Sequence, residues 1–134
     1  MKRRFADAFF YFALWNRRDE FHARVRREME IWEGGIVTTR WVLMEVADGL
    51  ADSSQRARVR PWFDRLENDP KVEVVGFEEE LYRHGLALYD QRADKAWSPT
   101  DCISFVVMKR GHLREALTRD KHFGQAGFTA VFEG

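Results

Sequence analysis

Two kinds of apolar spacing alternate along this chain. Short apolar or β-branched runs read as strands, and runs spaced three and four residues apart read as helices. Arg3 to Asp7 is short enough for a strand, and the aromatic and aliphatic run after it reads as a helix ending near Asn16. Asp7 then sits at the joint. From Glu20 the positions Phe21, Val25, Met29 and Trp32 mark an amphipathic helix that Gly34-Gly35 ends. Ile36-Val37-Thr38 is a buried-strand candidate. Thr39 can cap a helix carrying Val42, Leu43, Val46 and Leu50 on one face.

After the break at Asp52-Ser53-Ser54, a further helix has Val59, Trp62, Phe63 and Leu66 as its stripe. Pro61 lies inside that stripe and argues against one straight helix. Asn68-Asp69-Pro70 is a turn, Val72-Glu73-Val74-Val75 a strand, and Phe77 to about Arg92 a helix. A loop from Gln91 to Trp97 leads to Ser98-Pro99, an N-cap followed by proline at the first helical position. Gly111 ends the helix that follows. Ala116-Leu117-Thr118 is a short strand, Gly124 to Gly127 a turn, and Phe128 to Phe132 a last strand. The alternation predicts an α/β fold: a three-layer α/β/α sandwich around a mainly parallel sheet.

The length, 134 residues, favours a single domain spanning 1–134, and no repeat or linker divides it. With 45% apolar and 33% charged residues the chain reads as a soluble globular protein. Its longest apolar run, Ala8 to Trp15, is far short of the roughly 20 residues a membrane span needs. No signal peptide is read at the basic start Met1-Lys2-Arg3-Arg4. Cys102 is the single cysteine, which rules out an internal disulfide and fits a reducing cytoplasm. Lys plus Arg and Asp plus Glu balance at 22 each, which counts against a simple electrostatic duplex binder. A nuclease remains compatible, because an acidic metal site offsets basic gripping residues in the sum.

The candidate chemistry is acidic. In open parallel sheets, sites form beyond the carboxyl ends of strands, and the pattern puts Asp7 and Asp120 there. Asp101, at a helix start, can point into the same region. Several carboxylates in one place need a counter-charge, which Mg²⁺ or Mn²⁺ supplies while also binding phosphate. Each acid also has a structural explanation. Ser98-x-x-Asp101 is a variant capping box. Asp7 can be an N-cap and Asp120 a loop ion pair between Arg119 and Lys121. Glu45 falls near Trp41, Asp48 and Asp52 on the helical wheel, away from the apolar face, as a solvated glutamate would.

Cys102 reads as a small buried residue, and the four histidines are scattered without zinc-site spacing to it. The tryptophans read as packing, with Trp97, in the loop before Asp101, a candidate nucleotide contact.

Ser98-Pro99-Thr100-Asp101-Cys102-Ile103-Ser104-Phe105 and the stretch from Ala116 through Thr118, Asp120, His122 and Phe123 to Phe128 resemble two C-terminal motifs of the PIN-domain family of metal-dependent ribonucleases. Within that family they look like the VapC-type toxins of bacterial toxin–antitoxin pairs. Phe5-Ala6-Asp7 with Asn16-Arg17-Arg18-Asp19, and Thr38-Thr39 to Glu45, are similar to the family's earlier motifs, so the resemblance covers the whole chain. It implies a Mg²⁺- or Mn²⁺-dependent endoribonuclease, with RNA as substrate, a cognate antitoxin as partner and a homodimer as assembly. By position, Asp7, Glu45, Asp101 and Asp120 match the family's acidic residues. Asp7 and Asp101 would hold the metal most directly, with Thr100 and Thr118 as supports. Arg40, Arg119 or Lys121 could grip phosphate.

One departure stands out: Ala8-Phe9 follow Asp7 where many members carry a hydroxyl residue, so a hydroxyl that could bond a carboxylate is missing. A PIN-fold RNA- or protein-binding module with little catalysis is the alternative that this departure supports. A DNA-directed nuclease is a third.

Overall fold

The computed structural model describes residues 1–133. Five parallel strands form the centre: β1 (Arg3–Ala6), β2 (Gly35–Thr39), β3 (Val72–Val75), β4 (Glu115–Leu117) and β5 (Thr129–Ala130), in the order β3-β2-β1-β4-β5. Between them run α1 (Ala8–Trp15) and α2 (His22–Ile31), then α3 (Arg40–Gly49) and α4 (Arg56–Asn68). After β3 come α5 (Glu79–Gln91) and α6 (Pro99–Arg110), and the short α7 (Lys121–Gln125) joins β4 to β5. Parallel strands require crossover connections, and these are right-handed. The chain steps from β1 to β2 to β3 in one direction, then returns past β1 to β4 and β5 in the other. Helices α1 to α4 therefore cover one face and α5 to α7 the opposite face. This is the predicted α/β/α sandwich.

That reversal fixes where a site can form. β1 and β4 are neighbours, with Phe5 opposite Ala116 and Ala6 opposite Leu117, yet their following connections leave to opposite faces. A crevice opens beyond the carboxyl ends of two such strands. Asp7 is the first residue past β1, and Thr118 the first past β4.

The core is built from the apolar faces of both helical layers. Phe105 of α6 meets Phe123 of α7 edge to face at 4.9 Å, and Phe123 lies 6.2 Å from Phe5 of β1. Thus α6 and α7 pack onto the strand that carries Asp7. On the other face Trp62 of α4 stands edge-on to Tyr11 and Trp15 of α1, at 5.0 and 5.5 Å. That packing explains a difference from the sequence reading. One helix of 13 residues runs through Pro61, because tertiary contacts of its neighbours outweigh the missing amide donor.

Three boundaries also differ. α2 ends at Ile31, three residues before the glycines. The span Gly124 to Gly127 is not simply a turn: α7 occupies Lys121–Gln125, and Gly127 alone takes a left-handed φ of 97°. The last strand is two residues, Thr129–Ala130, rather than Phe128 to Phe132. A five-residue helix is too short to leave a period in the sequence, so spacing does not predict α7.

Candidate metal centre

Each acidic side chain reaches the crevice from a different element. Asp7 is the N-cap of α1, but its carboxylate makes no side-chain cap bond, although the adjoining Ala8 N–H favours its charged form. It accepts instead from the Thr118 hydroxyl at 3.0 Å. Thr118 in turn accepts from the Asp120 backbone N–H at 3.1 Å, so one buried hydroxyl ties the ends of β1 and β4 together. Asp120 caps α7 by accepting from the His122 N–H at 2.9 Å. A second tie comes from β2, where Thr38 donates to the Ala6 carbonyl at 2.9 Å. The next residue, Thr39, caps α3 by accepting from the Val42 N–H at 3.1 Å, and that helix presents Glu45.

Asp101 comes from the opposite layer. The capping box is fully formed: Asp101 N–H donates to Ser98 Oγ at 3.0 Å, and Ser98 N–H donates to Asp101 Oδ2 at 3.2 Å. The same Oδ2 lies 3.3 Å from His122 Nδ1. The cap thus orients this carboxylate toward the crevice while leaving Oδ1 outside the box.

Asp101, Asp120 and His122 bring one potential ligand atom each to within 4.8 Å of one another. Asp7 and Glu45 stand outside that compact trio, although both sense its charge. Burial raises the Asp7 carboxyl from its ordinary 3.8 to about 6, and the charges of Asp101 and Asp120 add to the rise. The Ala8 N–H and the Thr118 hydroxyl oppose it. Partial burial and then the facing charges of Asp7, Asp101, Asp48 and Asp120 push Glu45 up to about 7. Glu45 as a whole residue keeps solvent access, which screens this shift. Asp101 is raised by burial and by Asp120, against the Ser98 N–H and His122.

Among the described residues no Lys or Arg lies within 4.0 Å of any of these four acids; the one ion-pairing neighbour is His122, with Asp101 and Asp120. The donor set therefore fits a hard divalent ion: oxygen-rich, mutually repelling and without an internal cation.

Several of the remaining candidates are engaged elsewhere. Thr100 makes no side-chain hydrogen bond among the described residues, unlike Thr118. Arg40 is paired with Glu67 at 3.0 Å, and Arg119 with Glu20 at 3.5 Å while stacking over Phe21. Trp97 is packing rather than a nucleotide platform: it is buried against Phe105 and donates from Nε1 to Gln125 at 3.0 Å. Cys102 is buried and its thiol pKa raised, first by that burial and then by Asp101, so it is a poor nucleophile. The hydroxyl missing after Asp7 is supplied by Thr118 from across the sheet. His122 is the site residue that sequence spacing did not single out. Its position two residues after Asp120, just past a strand end, is the pattern that could have marked it.

Comparison with known proteins adds a family. The model of the PIN domain matches residues 5–129. The chain belongs to the PIN-domain family. The PIN fold recurs in solved structures. One is the Mycobacterium tuberculosis VapC20, described as a sarcin–ricin loop cleaving toxin, at TM-score 0.84 and 24% identity, covering 95% of this chain and 97% of that one. A toxin–antitoxin complex from Klebsiella pneumoniae matches at TM-score 0.71 and 16% identity, over 98% and 99% of the two chains. FitAcB from Neisseria gonorrhoeae matches at 0.66 and 18%, over 96% of each. No curated protein matches this chain by sequence. No helix of the described residues is long and apolar enough to cross a membrane.

Proposed function

We propose that this PIN-domain chain is a divalent-metal-dependent endoribonuclease and the toxin of a toxin–antitoxin pair. The observation that carries the reading is the crevice at the β1/β4 reversal, where Asp7, Glu45, Asp101 and Asp120 converge without a Lys or Arg to neutralise them. Asp7 and Asp101 would hold the ion most directly, and Glu45 and Asp120 would complete the site directly or through water. Mg²⁺ or Mn²⁺, when bound, supplies Lewis acidity for water and for the leaving oxygen of a phosphodiester. Thr118 holds the Asp7 carboxylate in place, and Ser98 holds that of Asp101.

RNA as the substrate is supported by the family resemblance, and the Mycobacterium tuberculosis neighbour is described as a sarcin–ricin loop cleaving toxin. The toxin–antitoxin neighbours support a cognate antitoxin as partner, and the family resemblance supports a homodimer acting as a single-domain protomer in the cytoplasm.

The test is cleavage of RNA and DNA oligonucleotides side by side, with Mg²⁺, Mn²⁺ or EDTA. RNA should be cut in the presence of metal alone, and Asp7→Asn or Asp101→Asn should lower the rate by about a hundredfold or more. Wild-type rates in both variants would remove the site assignment. Preferential DNA cleavage would remove RNA as the substrate.

A further inference from the structure

Among the described residues His122 is the one nitrogen ligand candidate in this oxygen-rich crevice, and its position is specific. Nδ1 lies 3.3 Å from Asp101 Oδ2 and also 3.3 Å from Asp120 Oδ1. A charge-assisted N–H···O bond is shorter, about 2.7–2.9 Å. The ring nitrogen is thus equidistant from two carboxylates and closely bonded to neither. Two donor atoms about 2.1 Å from a shared ion lie about 3.0 Å apart at right angles and about 3.4 Å apart at tetrahedral angles. The observed spacing falls within that window on both sides.

The position is also held rather than accidental. The His122 backbone N–H donates to Asp120 Oδ1, so the histidine and its carboxylate neighbour are fixed to each other at the start of α7. Phe123, fully buried against Phe5 and Phe105, anchors the next residue.

We infer that His122 joins Asp101 and Asp120 as a metal ligand through Nδ1, and that the centre selects a first-row transition ion over Mg²⁺. Mg²⁺ prefers oxygen and sheds water reluctantly, so an imidazole adds little to its binding. Affinity of such a site rises from Mn²⁺ through Co²⁺ and Ni²⁺ to Cu²⁺ and falls again at Zn²⁺, and imidazole suits the later ions. The inference rests on the metal-site part of the proposed function and adds the class of ion.

The test uses the full chain and metal alone. Pulsed EPR of bound Mn²⁺ should show nitrogen modulation from one imidazole, absent in His122→Ala. Isothermal titration should show Co²⁺ binding weakened by about tenfold or more in His122→Ala and His122→Gln, with Mg²⁺ binding changed by less than about threefold. Mn²⁺ bound without nitrogen modulation in the wild type would overturn the inference, as would Co²⁺ affinity unchanged in both variants. Asp101-dependent RNA cleavage together with no nitrogen modulation would reject the ligand but keep the nuclease. Nitrogen modulation with no RNA cleavage would do the reverse. No ion bound at all would reject both.

Discussion

Thr118 donates its hydroxyl to the Asp7 carboxylate at 3.0 Å, joining residues 111 positions apart where the neighbouring strands β1 and β4 send their chains to opposite faces. Both groups are buried. The same hydroxyl accepts from the Asp120 N–H, so its donor and acceptor roles are both in use. Thr118→Val keeps the shape and removes the hydroxyl. It leaves a buried carboxylate oxygen and a backbone N–H without that partner, which costs about 1–3 kcal/mol. Urea unfolding should show that loss, and metal affinity should fall with it because Asp7 becomes harder to ionise. Thr118→Ser should restore the metal affinity. A Val variant with unchanged metal affinity would show that Thr118 does not position Asp7.

The acidic crevice makes folding sensitive to pH when no metal is present. Asp7 titrates near 3.8 in the unfolded chain and near 6 in the folded one. Between those values the folded state binds more protons, so stability falls as pH rises through the window. Above it the full penalty applies, on the order of 3 kcal/mol for Asp7. Glu45, raised to about 7, acts in the same direction but is screened by water. In EDTA, thermal unfolding should therefore show Asp7→Asn gaining on the wild type as pH goes from about 4 to about 7. Divalent metal should stabilise the wild type near pH 7 and do little near pH 4. A wild type that gains on the variant over that range would mean Asp7 is not held in a proton-binding state.

Much of this architecture is legible in the chain because the decisive cues are local. Ser98-Pro99 followed by Asp101 predicts a capped helix start, and the structure contains that capping box. Thr39 caps α3 as its type suggests. The alternation of strand and helix spacing implies the layers. The strand order is not local: nothing in Val72–Val75 or Glu115–Leu117 says that the chain reverses past β1 between them. The convergence of Asp7 with Asp120 depends on that reversal, so spacing alone left each acid with its structural explanation. For Asp101 the two explanations coexist, because one carboxylate completes the cap and still faces His122. His122 itself was obscured because α7 has only five residues and no readable period.

The two roles of Asp101 can be separated by mutation. Ser98→Ala removes the hydroxyl that accepts from the Asp101 N–H but leaves the carboxylate. Loss of an N-cap of this kind costs about 1 kcal/mol. Asp101→Asn keeps an oxygen that can accept from the Ser98 N–H while removing the negative charge. The expected pattern is a crossed one. Ser98→Ala should lose stability in urea with nuclease activity reduced only severalfold. Asp101→Asn should retain stability within about 1 kcal/mol and lose activity by about a hundredfold. If both variants lose activity equally, the cap and the site are not separable and Asp101 acts chiefly through the helix.

The seating of α6 is set by a glycine on its neighbour. Gly85 of α5 faces Ile103, which lies two residues beyond Asp101. A Cβ at position 85 would run into the Ile103 side chain and stand 3.2 Å from its backbone N and Cα. The side chain can turn aside, but the α6 backbone cannot without moving the helix start that holds Asp101. Replacing a helix-interior glycine by alanine gains about 1 kcal/mol of helix propensity, and overpacking costs about 1–3 kcal/mol. Because backbone atoms are among those contacted, the packing cost should win. Gly85→Ala is therefore expected to unfold at lower urea and to bind metal more weakly, since α6 must shift as one body. A second substitution, Ile103→Ala, removes the obstructing Cγ1, and the double variant should be less destabilised than the sum of its two single changes. A Gly85→Ala protein more stable than the wild type would show that the two helices can part freely, and that Asp101 does not owe its position to their close contact.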